Sequence, residues 1–139
     1  MGRVKASQED VVREALLAIN RDDEEGFLAK LAEDIEWRSN IVGLVPADVW
    51  RGRDAVREAR SLAAAEGRHV RTTLQRMEHA GDEVLVLGVV TSETPHRGQV
   101  MLPVAWIWTV RDGLVRRIES FRSRTAAESA FASRNGTRA

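Results

Sequence analysis

A chain of 139 residues and 15.5 kDa, 43% hydrophobic and 30% charged, has room for one hydrophobic core, so a single domain with an ordered core over about residues 8–132 is expected. Basic and acidic residues balance at 21 each, and the absence of Cys and Tyr excludes disulfides, thiol nucleophiles, cysteine-held metals and phenolic acids. No apolar run approaches the roughly 18 residues of a membrane span, and the N-terminus turns acidic where a leader would turn apolar, which predicts a cytoplasmic protein without a membrane partner.

In chain order, Ser7 and Asp10 make a capping box. Val11, Val12, Ala15, Leu16 and Ile19 then recur at helical spacing, predicting a first helix over about 8–20. Arg21-Asp-Asp-Glu-Glu interrupts it and loads acids at a second, short helix with Phe27, Leu28 and Leu31 on its apolar face, ending near Ala32. Ile35 and Trp37 alternate with Glu36 and Arg38 as a short strand does, and Asn40 to Asp48, with Gly and Pro and no periodicity, reads as a loop. Asp54 to Ala65, rich in Ala, Arg and Glu, predicts a third helix ending near Gly67. The period then changes to two. Residues 69–79, 83–93, 99–111 and 114–123 predict four long antiparallel strands, parted by Ala-Gly-Asp, Pro-His-Arg-Gly and Asp112-Gly113 turns. Thr125-Ala-Ala-Glu128 reads as the capping box of a terminal helix. The sum is an α+β fold, three helices on one face of a curved sheet.

Charge and hydropathy are uneven along the chain. Residues 51–76 hold seven Arg against three acids but no aromatic, so bases would find nothing to stack on and no nucleic-acid partner is expected. The Arg residues read instead as solvent-facing positions between apolar ones. Val84 to Val90 and Leu102 to Val110 are almost continuously apolar, so both faces of the middle strands avoid water. One face can pack on the helices, and a homodimer through the other sheet face would cover the rest.

The runs Asp34-Ile-Glu-Trp37, Trp50-Arg-Gly52-Arg-Asp-Ala-Val and Ala105-Trp-Ile-Trp-Thr-Val-Arg-Asp-Gly113-Leu-Val-Arg-Arg-Ile, in this order, resemble the nuclear transport factor 2-like superfamily, in its SnoaL-like branch, over residues 8–132. The resemblance implies a cone-shaped half barrel whose concave face and helices enclose a pocket, and a dimer through the sheet. It does not imply one reaction, because the same cone serves isomerases, cyclases, hydrolases, dehydratases and proteins that only bind. Laid on ketosteroid isomerase, the chain places Ala15 where a Tyr is needed, Ser39 at the base and Trp106 at the second Asp, and none of these can do that work. The paired Asp residues of epoxide hydrolase-like relatives have no counterpart in residues 83–93 and 99–110. The aromatic-x-Asp that ends the last strand of many cyclases reads Phe121-Arg-Ser123 here, and the three His fall near strand ends or turns, outside any dehydratase-like pairing.

What remains to line a cone follows from alternation. Ile118, Ser120 and Arg122 share a face with Val104, Trp106 and Trp108, joined by Trp37 and Ser39 from the first strand and by Trp50 as a loop clamp over the mouth. These nine residues suit a small, mainly apolar molecule, with indole N–H groups to orient one polar atom and Arg122 to meet a carboxylate if the ligand carries one. No cofactor is implied, and three scattered His without HxxxH or HExxH spacing give no metal site. Two other readings stand beside this one: a cofactor-free isomerase, cyclase or hydrolase whose acid or base is Glu36, Glu93 or Glu119, and a structural or protein-binding module with a filled cone.

Overall fold

The structure, a computed structural model, describes residues 7–39, 49–65, 69–96 and 98–136. Its elements run α1 (Gln8–Asn20), α2 (Glu24–Ala29), β1 (Leu31–Ser39), β2 (Val49–Arg51), α3 (Arg53–Ala65), β3 (His69–Ala80), β4 (Glu83–Thr94), β5 (Gly98–Arg111), β6 (Leu114–Phe121) and α4 (Arg124–Arg134). The six strands form one open sheet in the order β2-β1-β6-β5-β4-β3. β1 runs parallel to β6 and every other pair is antiparallel.

α1 starts where its capping box requires: Asp10 N–H donates to Ser7 Oγ at 3.1 Å, and Ser7 N–H donates to the Asp10 carboxylate at 3.3 Å. α2 is shorter than its apolar pattern suggested. It ends at Ala29, and Leu31, expected on its face, opens β1 instead, because the Lys30 carbonyl accepts from Val115 N–H at 2.8 Å and starts the parallel pairing with β6. The loop expected over Asn40 to Asp48 lies outside the described residues. β2 is an element the alternation did not reveal, since three residues are too few to show a period. Arg53 then ties the start of α3 to β1, donating through Nε and Nη2 to the Leu31 carbonyl at 2.9 and 2.6 Å. The four long strands fall within one or two residues of their expected limits, the largest difference being that β6 stops at Phe121 and not at Ser123. α4 is capped by Ser123, whose Oγ accepts from Ala126 N–H at 3.0 Å, and not by Thr125.

The sheet divides the molecule into two cores. On the concave face, Val84 and Val86 of β4, Trp106, Trp108 and Val110 of β5, and Val115 and Ile118 of β6 pack under Val11, Val12, Ala15, Leu16 and Ile19 of α1, with Phe27, Leu28, Ile35 and Val56. On the convex face, Leu85, Leu87, Ala105 and Ile107 pack under Ala127 and Phe131 of α4. This second core corrects the premise of the dimer argument, because a helix of the same chain covers the apolar stretch that was to be buried by a partner. The cover is partial. β6 ends opposite Ala105, and the β4–β5 hairpin continues past it with Met101 64% exposed on the convex side, while Val100 and Leu102, also exposed, alternate onto the concave side. Pro103, without an N–H, sits in that continuation, where β5 has lost β6 and become an edge.

Curvature has a local cause at one place. The β3–β4 register slips between Leu74 and Arg76, leaving Gln75 as an extra residue that bends the strand. Gly88 lies opposite. A Cβ there would sit 2.4 Å from the Thr73 carbonyl oxygen, so only glycine allows β3 to approach so closely.

Four arginines of the Arg-rich stretch are paired with acids: Arg51 with Glu36, Arg57 with Glu24 and Glu25, Arg71 with Asp22, and Arg76 with Glu78 and Glu128. Among the described residues, no helix is long and apolar enough to cross a membrane.

Candidate functional site

Register places the tryptophans in one neighbourhood. Trp50 lies opposite Trp37, Trp37 opposite Ile118, Ile118 opposite Trp108 and Trp108 opposite Val84, so these five occupy one row across β2, β1, β6, β5 and β4. The next row along the sheet runs Ser120, Trp106, Val86, Met77. Directly opposed residues share a face, so Trp37, Trp50, Val104, Trp106, Trp108, Ile118 and Ser120 all belong to the concave side. Ser39 pairs through its backbone with Ser120. Trp50 is a residue of strand β2 rather than a loop clamp.

These residues differ in how deeply they are held. Trp108 and Ile118 are fully buried, and Trp106 is 8% exposed, its ring centroid 6.1 Å from that of Trp108 at an interplanar angle of 58°. Trp37, Val104, Leu74, Met77 and Val90 are only partly buried and fringe this core. Two polar features stand among them. Trp37 Nε1 donates to Ser120 Oγ at 3.3 Å, which fixes the indole across the parallel β1–β6 pair. Trp108 Nε1 is enclosed without any acceptor, a buried donor whose desolvation costs roughly 1–3 kcal/mol.

Arg122 departs from the alternation that put it on this face. β6 ends one residue earlier, and Arg122 is exposed in the bend before the Ser123 cap. The three candidate glutamates also lie elsewhere. Glu119 is 4% exposed but faces α4 on the convex side, where Arg134 Nη1 and Nη2 donate to its two oxygens at 2.6 and 3.0 Å. Glu36 lies on that side too, bound by Arg38 at 2.8 Å and Arg51 at 2.9 Å with Arg117 at 3.6 Å. The Arg38 hydrogen bond holds its carboxyl below the ordinary value of 4.5, and burial works against it. Glu93 is exposed near the end of β4, accepting from Gln99 at 3.3 Å. A carboxyl that serves as general acid or base must reach the substrate, and none of these three enters the concave face.

Alternation missed Leu74, Met77 and Val90. Leu74 and Met77 are three apart yet share the concave face because Gln75 is an extra residue, so strict period-two counting puts one of them outside. The signal available was Gly88, a lone glycine within an apolar strand run, which marks a bulge or a close backbone approach.

Comparison with known proteins agrees with this architecture. The family model described as a SnoaL-like domain matches residues 12–118. An NTF2-like protein of unknown function from Burkholderia pseudomallei superposes with a TM-score of 0.72 at 22% identity, over 91% of this chain and 98% of the other. TerC, co-crystallised with polyporic acid, gives 0.72 at 23% identity over 91% and 98%. A computationally designed 17-OHP binder gives 0.72 at 17% identity over 86% and 93%. No protein of curated function matches the chain. With an open six-stranded mixed sheet, helices on its concave side and a short C-terminal helix, and a family match over most of its length, the chain belongs to the SnoaL-like branch of the NTF2-like superfamily.

Proposed function

We propose that the protein binds a small, mainly apolar molecule against the concave face of its sheet and does no chemistry on it with Glu36, Glu93 or Glu119. One observation carries this reading: a set of incompletely buried apolar side chains, Trp37, Leu74, Met77, Val90 and Val104, borders the concave core, while the only buried carboxylate among the described residues is on the other side. An apolar surface held open toward solvent gains from covering by a ligand roughly 25 cal/mol per Å² of apolar area. Two relatives of the fold, TerC co-crystallised with polyporic acid and the designed 17-OHP binder, support the reading that a small molecule is held by this fold. Arg122 has no role in this reading, and with it goes the argument for a carboxylate in this site.

The test is a titration with 2-naphthol, a neutral two-ring aromatic with one hydroxyl, followed by intrinsic tryptophan fluorescence in the protein and in Val104→Trp. Val104 is only partly buried, so a larger side chain there fills the border without entering the packed core. Saturable quenching in the native protein, weakened at least tenfold by the substitution, is the expected result. Equal response in both proteins, or none in either, refutes it.

The uncovered part of the convex face further supports a homodimer. Met101 and Pro103 follow Ala105 and Ile107 in alternation on that side, beyond the reach of β6, and both are exposed.

A further inference from the structure

The seam between α1 and the edge strand β3 holds a groove of about 230 Å³ lined by Arg13, Leu16, Leu17, Asn20, Thr72 and Leu74. The α1 residues fall at i, i+3, i+4 and i+7, one stripe of the helix, and Thr72 and Leu74 are two apart on one face of the strand. The floor is apolar: Leu16 belongs to the concave core, Leu74 packs on its border, and Leu17 is 48% exposed.

The polar groups of the seam divide into those already satisfied and one that is not. Asn20 Nδ2 donates to the Thr72 carbonyl and Asn20 Oδ1 accepts from Thr72 N–H, both at 2.8 Å, so this amide acts as a partner strand for the sheet edge. Arg71, next to Thr72, is paired with Asp22 at 3.3 Å. Arg13 makes no hydrogen bond to any described residue. Its ion contact is to Glu9 Oε1 at 3.8 Å, and the other Glu9 oxygen is held by His79 Nδ1 at 2.8 Å. The groove therefore combines, in one lining, three leucines and an arginine whose guanidinium makes no hydrogen bond to a described residue.

We propose that this seam is a second binding site, adjoining the concave face through Leu74, for a short-chain carboxylic acid. The aliphatic tail lies on Leu16, Leu17 and Leu74 and the carboxylate accepts from Arg13. A charge-neutral chain of the same length would use the floor alone, which makes the head group the discriminating feature.

The experiment is a ¹H–¹⁵N correlation titration of the full chain with octanoate, and in parallel with 1-octanol, in the native protein, Arg13→Gln and Leu17→Gln. Both positions are well exposed, at 52% for the Arg13 side chain and 48% for Leu17, so the fold is retained. Octanoate is expected to shift, saturably, the backbone amides of Arg13, Leu17, Thr72 and Leu74 and the Asn20 side-chain amide, leaving the four indole N–H signals in place. Arg13→Gln should weaken octanoate roughly threefold to fivefold and leave octanol unchanged, and Leu17→Gln should weaken both. Shifts confined to the indoles would place octanoate in the concave site and overturn the proposal. So would unshifted seam amides, or an affinity for octanoate that Arg13→Gln does not alter. The concave-face reading is scored separately, by 2-naphthol.

Discussion

Whether the one buried carboxylate among the described residues is structural decides much of the functional reading, and Arg134→Met tests it. Glu119 is 4% exposed and takes both of its hydrogen bonds, at 2.6 and 3.0 Å, from Arg134 of α4. Removing one partner of a fully buried ion pair costs roughly 3–5 kcal/mol, because the remaining charge stays in the interior unpaired. Arg134 keeps 37% of its side chain in solvent, so water screens the pair and reaches the orphaned carboxylate, which lowers the expected loss to about 2 kcal/mol. For a domain of this size that is roughly 7 °C in Tm. The double variant Glu119→Leu with Arg134→Met replaces the pair by apolar groups and should recover most of the loss, since a buried ion pair contributes little net stability against a well-packed apolar substitute. Thermal and urea unfolding of the three proteins gives the numbers. A single variant within 0.5 kcal/mol of the native protein, or a double variant no better than the single, would refute the assignment of Glu119 as an anchor for α4.

Three further outcomes are expected. Glu36→Gln removes the carboxylate on which Arg38, Arg51 and Arg117 converge; with 40%, 70% and 46% of those side chains exposed, the loss should be about 1 kcal/mol and shrink in high salt, as urea melts at two ionic strengths would show. Since the folded-state value of Glu36 is depressed, its contribution is full above the ordinary carboxylate range and lost as pH falls below 4.5, so the native protein should lose more stability than Glu36→Gln between about pH 5 and 3. Gly88→Ala places a Cβ 2.4 Å from the Thr73 carbonyl and should destabilise by about 1–3 kcal/mol, with amide exchange accelerated around Leu74. If the proposed homodimer forms through this face, light scattering at micromolar concentration should give a dimeric mass for the native protein and a monomeric one for Met101→Glu, on an exposed apolar part of the hairpin; equal masses would remove that interface.

Local physics made most of the fold legible. The Ser7 capping box, the helical spacing of Val11 to Ile19 and the long alternating strands gave their elements within a residue or two. What escaped were features set by contacts between distant segments. The extra residue Gln75 exists because β3 must bend against Gly88, and β6 ends at Phe121 because Ser123 caps α4. Those two facts account for the missed Leu74 and Met77 and for the misplacement of Arg122. α4, read correctly as a helix, gave no sign that its Ala127 and Phe131 would cover the convex face, since two apolar residues do not say which surface they meet. The tryptophan row was visible as alternation in β1 and β5, whereas Trp50 joined it through pairing with β1, which sequence spacing does not encode.

The central claim, a ligand held by the concave face, is tested most directly by a crystal structure of the protein soaked with 2-naphthol. The account predicts difference density for a two-ring molecule bordered by Trp37, Trp106 and Val104, with its hydroxyl within hydrogen-bond distance of a concave-face donor. Side chains of this face packed against one another with no density between them, at full soak, would contradict it.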